Sequence, residues 1–122
     1  MTSGFDTLNL HPQLKKAIDA LGFTQMTPIQ QKVLKYTLVG HDAIGRAQTG
    51  TGKTAAFGLP MLAKLDLSTR FTQALILAPT RELCVQISKD VINYSKYLGG
   101  LKVTAVYGGA PIMGQIRDIK AG

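Results

Sequence analysis

Ala47-Gln48-Thr49-Gly50-Thr51-Gly52-Lys53-Thr54 is the stretch on which the fold turns. Its glycines let successive backbone amides rotate toward a chain of phosphates, and a helix opening at Lys53 would aim the positive end of its dipole at the same negative charge. In such a loop Lys53 sets an ammonium against the β- and γ-phosphates. The Thr54 hydroxyl completes part of a Mg²⁺ shell that otherwise keeps its waters. The chemistry demands a strand before the loop and a helix after it, whereas a flexible Gly/Thr turn, the plain alternative, demands neither. His41 to Ala47 is short, carries Ala43 and Ile44, and reads as the strand; Lys53 to Leu65 reads as the helix.

Downstream the same alternation continues. Ala74-Leu75-Ile76-Leu77-Ala78 is an apolar run of the length expected for a strand buried on both faces, and Pro79 ends it. Leu83, Ile87, Val91, Tyr94 and Leu98 then form one helical stripe with Gly99-Gly100 as its stop. Val103 to Tyr107 reads as a third strand closed by Gly108-Gly109, and Pro111 to Ile119 begins another helix. Upstream, Leu14, Ala17, Ile18 and Leu21 recur at helical spacing between Pro12 and Gly22. A second helix opens at Thr27-Pro28, where Thr27 caps and Pro28 occupies the first turn, and runs through Ile29, Val33 and Leu34 toward Gly40. Strand, helix, strand, helix, strand is a parallel α/β pattern with right-handed crossovers and helices on both faces of the sheet.

Composition narrows the class without deciding the function. Of 122 residues 45% are hydrophobic and 17% charged, which belongs to a folded domain rather than a disordered tail. Fourteen Lys and Arg against seven Asp and Glu give +7, favouring polyanionic partners, although the basic residues are spread from Lys15 to Lys120 without a block. One cysteine, Cys84, cannot form an internal disulfide, and no basic segment followed by a long apolar run marks the N-terminus for secretion, so a reducing cytoplasm is expected. Cys84 reads as a small packing residue before a reactive thiol. No apolar stretch approaches the roughly 20 residues needed to cross a bilayer, so no membrane partner is expected.

The loop departs from the general phosphate-binding pattern in having Ala47 where the first glycine stands. Ala-Gln-Thr-Gly-Thr-Gly-Lys-Thr resembles the form found in the DEAD-box family of ATP-dependent RNA helicases. Gly22-Phe23-Thr24-Gln25-Met26-Thr27-Pro28-Ile29-Gln30 resembles that family's adenine-reading Q motif, with the isolated aromatic Phe5 seventeen residues ahead of Gly22. A glutamine carboxamide can pair with the N6 and N7 edge of adenine while Phe23 offers an apolar face to the ring, so Gln30 implies ATP over GTP. Taken alone, an exposed helical Gln30 and a core Phe23 are the commoner readings. Pro79-Thr80-Arg81-Glu82-Leu83 resembles the family's first RNA-contacting motif. There Thr80 and Arg81 can donate to backbone phosphates, while Glu82 is equally explained by the helix dipole. Gly108-Gly109 resembles the glycine pair that lets backbone approach RNA, and a plain turn would look the same.

The resemblance implies a P-loop NTPase (RecA-like) α/β fold, a three-layer αβα parallel sheet, here reaching about three strands. Residues 1–36 would be the Q-motif region and 41–122 the start of the RecA-like core of an N-terminal helicase ATP-binding domain. It further implies ATP and Mg²⁺ as cofactors and RNA as partner. Phe23, Gln30 and 47–54 (Ala47, Gln48, Thr49, Gly50, Thr51, Gly52, Lys53, Thr54) would hold the nucleotide. Lys53 and Thr54 would act in catalysis, Thr54 at the metal, and Pro79, Thr80, Arg81, Gly108 and Gly109 on RNA. The seven acidic residues include no adjacent pair, so the carboxylates and arginines that complete hydrolysis are expected from the remainder of the helicase core, and these 122 residues are expected to be inactive alone and to expose unpaired sheet edge. The alternative is a nucleotide- or RNA-binding module without turnover. A small-molecule kinase using the same loop is disfavoured by Gln30 and Thr80-Arg81.

Overall fold

The computed structural model describes residues 4–48 and 52–122. A 3₁₀ turn at Phe5–Thr7 is followed by five helices, α1 (Pro12–Ala20), α2 (Pro28–Thr37), α3 (Lys53–Ala63), α4 (Arg81–Tyr94) and α5 (Ile112–Lys120). Three of them, α1, α2 and α4, begin where the local chemistry relieves their unpaired amides. Pro12 and Pro28 have no amide proton to leave unpaired in a first turn, His11 Nδ1 accepts from the Gln13 amide at 3.3 Å, and Thr80 Oγ1 accepts from the Leu83 amide at 3.1 Å.

The helices end earlier than their apolar stripes. α4 stops at Tyr94 rather than running to Leu98, because the Ser95 hydroxyl donates to the carbonyls of Val91 and Ile92 at 2.8 and 3.2 Å and so competes with the next helical amides. In the last turn of α2 the Thr37 hydroxyl donates to Val33 O at 3.1 Å, and the helix ends there, short of Gly40.

α3 is the central element, packing against α2 on one side and α4 on the other. Its Ala55, Ala56, Leu59 and Leu62 are buried, and Gly58 leaves room for the Tyr94 ring to approach. With Leu14 and Ile18 of α1 and Leu34 of α2 they form the core, in which each fully buried Leu or Ile contributes about 1.5–3 kcal/mol. Phe5 joins this core. Its amide donates to Thr24 O at 3.1 Å, and Gly4 makes an antiparallel bridge to Gln25, so the N-terminal turn is tied to the loop between α1 and α2.

The expected sheet is corrected in one respect. The segments at 41–47, 74–78 and 103–107 adopt no helix, but among the described residues no ladder joins them to one another. A strand exchanges its hydrogen bonds with a neighbour about 4.8 Å away, and among the described residues none of the three shows such a bonded partner. Nor is 74–78 buried on both faces. Ile76 and Ala78 pack against the core while Leu75 and Leu77 are 81% and 85% exposed, the period-two alternation of a strand covered on one side only. Among the described residues no helix is long and apolar enough to cross a membrane.

Candidate functional site

Two groups of the sequence-predicted residues come together, one at the N-terminus of α3 and one at that of α4. At α3, Gly52 occupies the N-cap with φ +83°, a left-handed conformation that glycine adopts without steric cost. Lys53 and Thr54 follow as the first two helical residues and are half-buried, so their amides and side chains share the positive end of an 11-residue helix. Ala47 and Gln48 lead toward this point; the expected phosphate contacts of Thr49, Gly50 and Thr51 lie outside the described residues.

Gln30 is 3% exposed and its carboxamide is aimed at the same place. Oε1 accepts from the Thr27 amide at 2.9 Å, and Nε2 donates to the Gly52 carbonyl at 3.1 Å. One side chain thus satisfies the amide of the residue that caps α2 and grips the N-cap of α3 from 22 residues away. A Cβ on Gly52 would run into Gln30 Nε2, so the glycine is required both by its φ and by this approach. Thr27 Oγ1 lies beside Gly52 and is buried without a partner among the described residues. Sequence reasoning assigned Gln30 to the base and missed that one donor and one acceptor of its carboxamide are already committed. The Thr27-x-x-Gln30 spacing of a capping box was the signal for it. One N–H and one lone pair of the carboxamide remain.

Phe23 is half-buried in an aromatic row, its ring centroid 5.9 Å from that of Phe5 and 6.3 Å from that of Tyr94. These contacts are those of a packing residue. Burial, and secondarily the charge of Asp90, pushes the Tyr94 phenol up to about 12.

At the second group, Arg81 is the first residue of α4 and Thr80 its cap. Arg81 Nη1 donates to Gly108 O at 3.4 Å, and a Cβ on Gly109, whose φ is +89°, would come within 2.8 Å of that nitrogen. The guanidinium therefore rests on the glycine pair, bringing two separate sequence motifs to one exposed edge. Gln115 of α5 holds that loop in place, and sequence reasoning missed it. Its Oε1 accepts from the Tyr107 amide at 2.9 Å, while Nε2 donates to Tyr107 O at 3.1 Å and Ala110 O at 3.3 Å. Nothing in the local sequence distinguishes Gln115 from an ordinary surface glutamine. Pro79 is exposed before the cap, and Cys84 Sγ is half-buried with Val106 O at 3.8 Å.

Comparison with known proteins agrees with this geometry. A sequence model of the DEAD/DEAH box helicase family matches residues 27–122. The chain is 48% identical over 118 residues to the ATP-dependent RNA helicase CshA of Listeria monocytogenes, covering 95% of this chain and 22% of that protein. It is 42% identical over 118 residues to the ATP-dependent RNA helicase DeaD of Mycobacterium tuberculosis, covering 97% and 21%. Among solved structures, a DEAD box protein from Methanococcus jannaschii superposes with a TM-score of 0.87 at 36% identity, over 97% of this chain and 32% of the other. The RNA helicase Prp28 from Chaetomium thermophilum bound to ADP gives 0.81 at 36% identity, over 93% and 28%. The chain thus spans about a fifth of the length of these curated relatives, and its likeness to the solved helicases supports the P-loop NTPase fold.

Proposed function

Because the chain belongs to the DEAD/DEAH box helicase family, we propose that it is the ATP- and RNA-binding portion of an ATP-dependent RNA helicase that unwinds or remodels RNA with ATP hydrolysis. The observation that carries this reading is the Gln30 carboxamide held against Gly52 at the mouth of α3. It couples the segment that would read a base to the segment that would hold phosphates.

The residues present fit a nucleoside triphosphate with its divalent cation. Residues 47–54, from Ala47 and Gln48 through Gly52, would wrap the phosphates with backbone amides, and the dipole of α3 would favour their charge. Lys53 would lie along the β- and γ-phosphates and Thr54 would hold Mg²⁺, which when bound neutralises charge on the leaving phosphate. Gln30 would use its uncommitted N–H and lone pair on the adenine edge, with Phe23 supplying apolar surface beside it. Thr80 keeps its hydroxyl hydrogen for donation, since its oxygen serves as the helix cap, and Arg81 offers its remaining N–H groups to an RNA backbone beside Gly108 and Gly109. We place the chain in the cytoplasm, in keeping with the lone cysteine of these 122 residues.

Turnover belongs in this reading to the longer parent. The 122 residues are a binding module on their own, because their seven acidic residues include no adjacent pair. The test is discrimination between nucleotides. The chain should bind ATP more tightly than GTP, and Gln30→Ala should bring the two affinities together. Equal binding of ATP and GTP by the parent sequence would refute the assignment of Gln30.

A further inference from the structure

The exposed pair Gly108-Gly109 has no side chains to anchor it, yet its loop is met by helices from two directions. α4 meets the carbonyls of Val106 and Gly108. Cys84 Sγ lies 3.8 Å from Val106 O, and Arg81, one turn earlier on the same face of the helix, places Nη1 3.4 Å from Gly108 O. α5 takes the residues on either side of the pair. Gln115 Oε1 accepts from the Tyr107 amide at 2.9 Å, and Nε2 donates to Tyr107 O at 3.1 Å and to Ala110 O at 3.3 Å. One half-buried carboxamide therefore clamps the loop both before and after its glycines.

We propose that Gln115 is a positioning residue for nucleic acid: it touches no RNA itself, and it acts by fixing the Gly108 carbonyl as the seat on which the Arg81 guanidinium is set in advance for a backbone phosphate. The proposal rests on the assignment of Arg81 to RNA. A direct contact from Gln115 is ruled out by its own bonding. Phosphate oxygens only accept, and both N–H groups of the carboxamide are already spent on Tyr107 O and Ala110 O.

The seat needs this clamp because glycine backbone is the freest of any residue. With Tyr107 held at its amide and carbonyl and Ala110 at its carbonyl, only the two glycines lie between fixed points. The clamp is itself anchored, since α5 begins at Ile112 and the Gln115 amide bonds back to Pro111 O at 3.4 Å. The Cys84 contact is no substitute, because a thiol is a weak donor and Val106 lies beyond Tyr107 from the glycines. The guanidinium rests directly over the pair. Gly109 has a φ of +89°, and a Cβ there would stand 2.8 Å from Arg81 Nη1. A loose arginine gives up its rotamer freedom when it grips a phosphate, whereas a seated one has given it up before RNA arrives, a difference of up to about 10-fold in affinity. The seat uses one N–H and leaves the rest of the fork for phosphate.

The experiment is a double-mutant cycle on the 122-residue chain, read as affinity for a labelled single-stranded oligouridylate across a salt titration, with helix content measured for each protein. Gln115→Ala should weaken binding about 10-fold at an unchanged salt slope, because Arg81 still reaches phosphate but must be ordered to do so. Arg81→Ala should weaken it at least as much and lower the slope by about 1. In the Arg81→Ala background, Gln115→Ala should cost nothing further. Where Gln115→Ala loses helix content, Gln115→Met takes its place, keeping side-chain length and helix propensity without the carboxamide. A further loss of about 10-fold in the Arg81→Ala background would overturn the proposal, because Gln115 would then act independently of Arg81. A slope lowered by Gln115→Ala alone would overturn it too, showing that the carboxamide meets phosphate itself. Full affinity in Gln115→Ala beside weakened binding in Arg81→Ala would overturn it and leave the RNA assignment standing. No change on removing Arg81 would overturn both.

Discussion

Replacing Gln30 by alanine removes a side chain that ties α2 to Gly52, the N-cap of α3. The Thr27 amide loses an acceptor at 2.9 Å and the Gly52 carbonyl a donor at 3.1 Å. Each group left short in a buried place costs about 1–3 kcal/mol, with water recovering part of it, so the net loss is about 2–4 kcal/mol. Alanine's better helix propensity returns only about 0.4 kcal/mol. In urea melts followed by helix content the midpoint should fall on the order of 1–3 M. Gln30→Glu sharpens the test. It keeps an acceptor for Thr27 but turns an oxygen toward the Gly52 carbonyl, and only the protonated acid can donate there. Its folded-state pKa should therefore lie above the ordinary value of about 4.3. The destabilisation relative to the parent should be small below that value, grow as pH rises through the raised one, and be complete above it. A Gln30→Ala variant within about 0.5 kcal/mol of the parent, or a Gln30→Glu variant whose deficit is the same at pH 4 and pH 8, would refute the reasoning.

Arg81→Ala should weaken single-stranded RNA binding for all sequences alike and lower the salt slope of log affinity by about 1, read from a salt titration. Leu59→Ala, at a site with 0% exposure between α2 and α4, should cost about 2–5 kcal/mol in a urea melt. Tyr94, pushed up to about 12 by burial and then by Asp90, should show in an ultraviolet titration as a phenol that ionises well after an ordinary one. Its folded pKa is raised, so the stability it contributes is fully present below the unfolded value of about 10 and is lost as pH climbs toward 12. Tyr94→Phe should flatten the decline in that window.

The helices were legible because their signals are local. Pro12 and Pro28 open α1 and α2 where the sequence places them, and the stripe from Leu83 to Tyr94 is a single helix. Their ends were less so, since Ser95 and Thr37 act through hydroxyl bonds that apolar periodicity does not register. The strand segments were found as apolar runs, but pairing is not local. Whether 74–78 lies in a ladder depends on what sits beside it, and Leu75 and Leu77 carry the same letters exposed or covered. Of the candidate site, the two motifs that hold Arg81 and Gly108 were each found after an apolar run, but their meeting was not read from the sequence, because it depends on a contact across 27 residues. The dual commitment of Gln30 was written in the Thr27 to Gln30 spacing but obscured by its resemblance to a base-reading residue, and the support from Gln115 had no local signal.

Every other assignment depends on phosphates being held at the mouth of α3. Titration of ATP and Mg²⁺ into the parent chain and into Lys53→Ala tests this directly, because an ammonium bonded to phosphate contributes about 1.5–3 kcal/mol. The variant should bind about 10- to 100-fold more weakly while keeping its helix content. Equal affinity of the two proteins for ATP would contradict it.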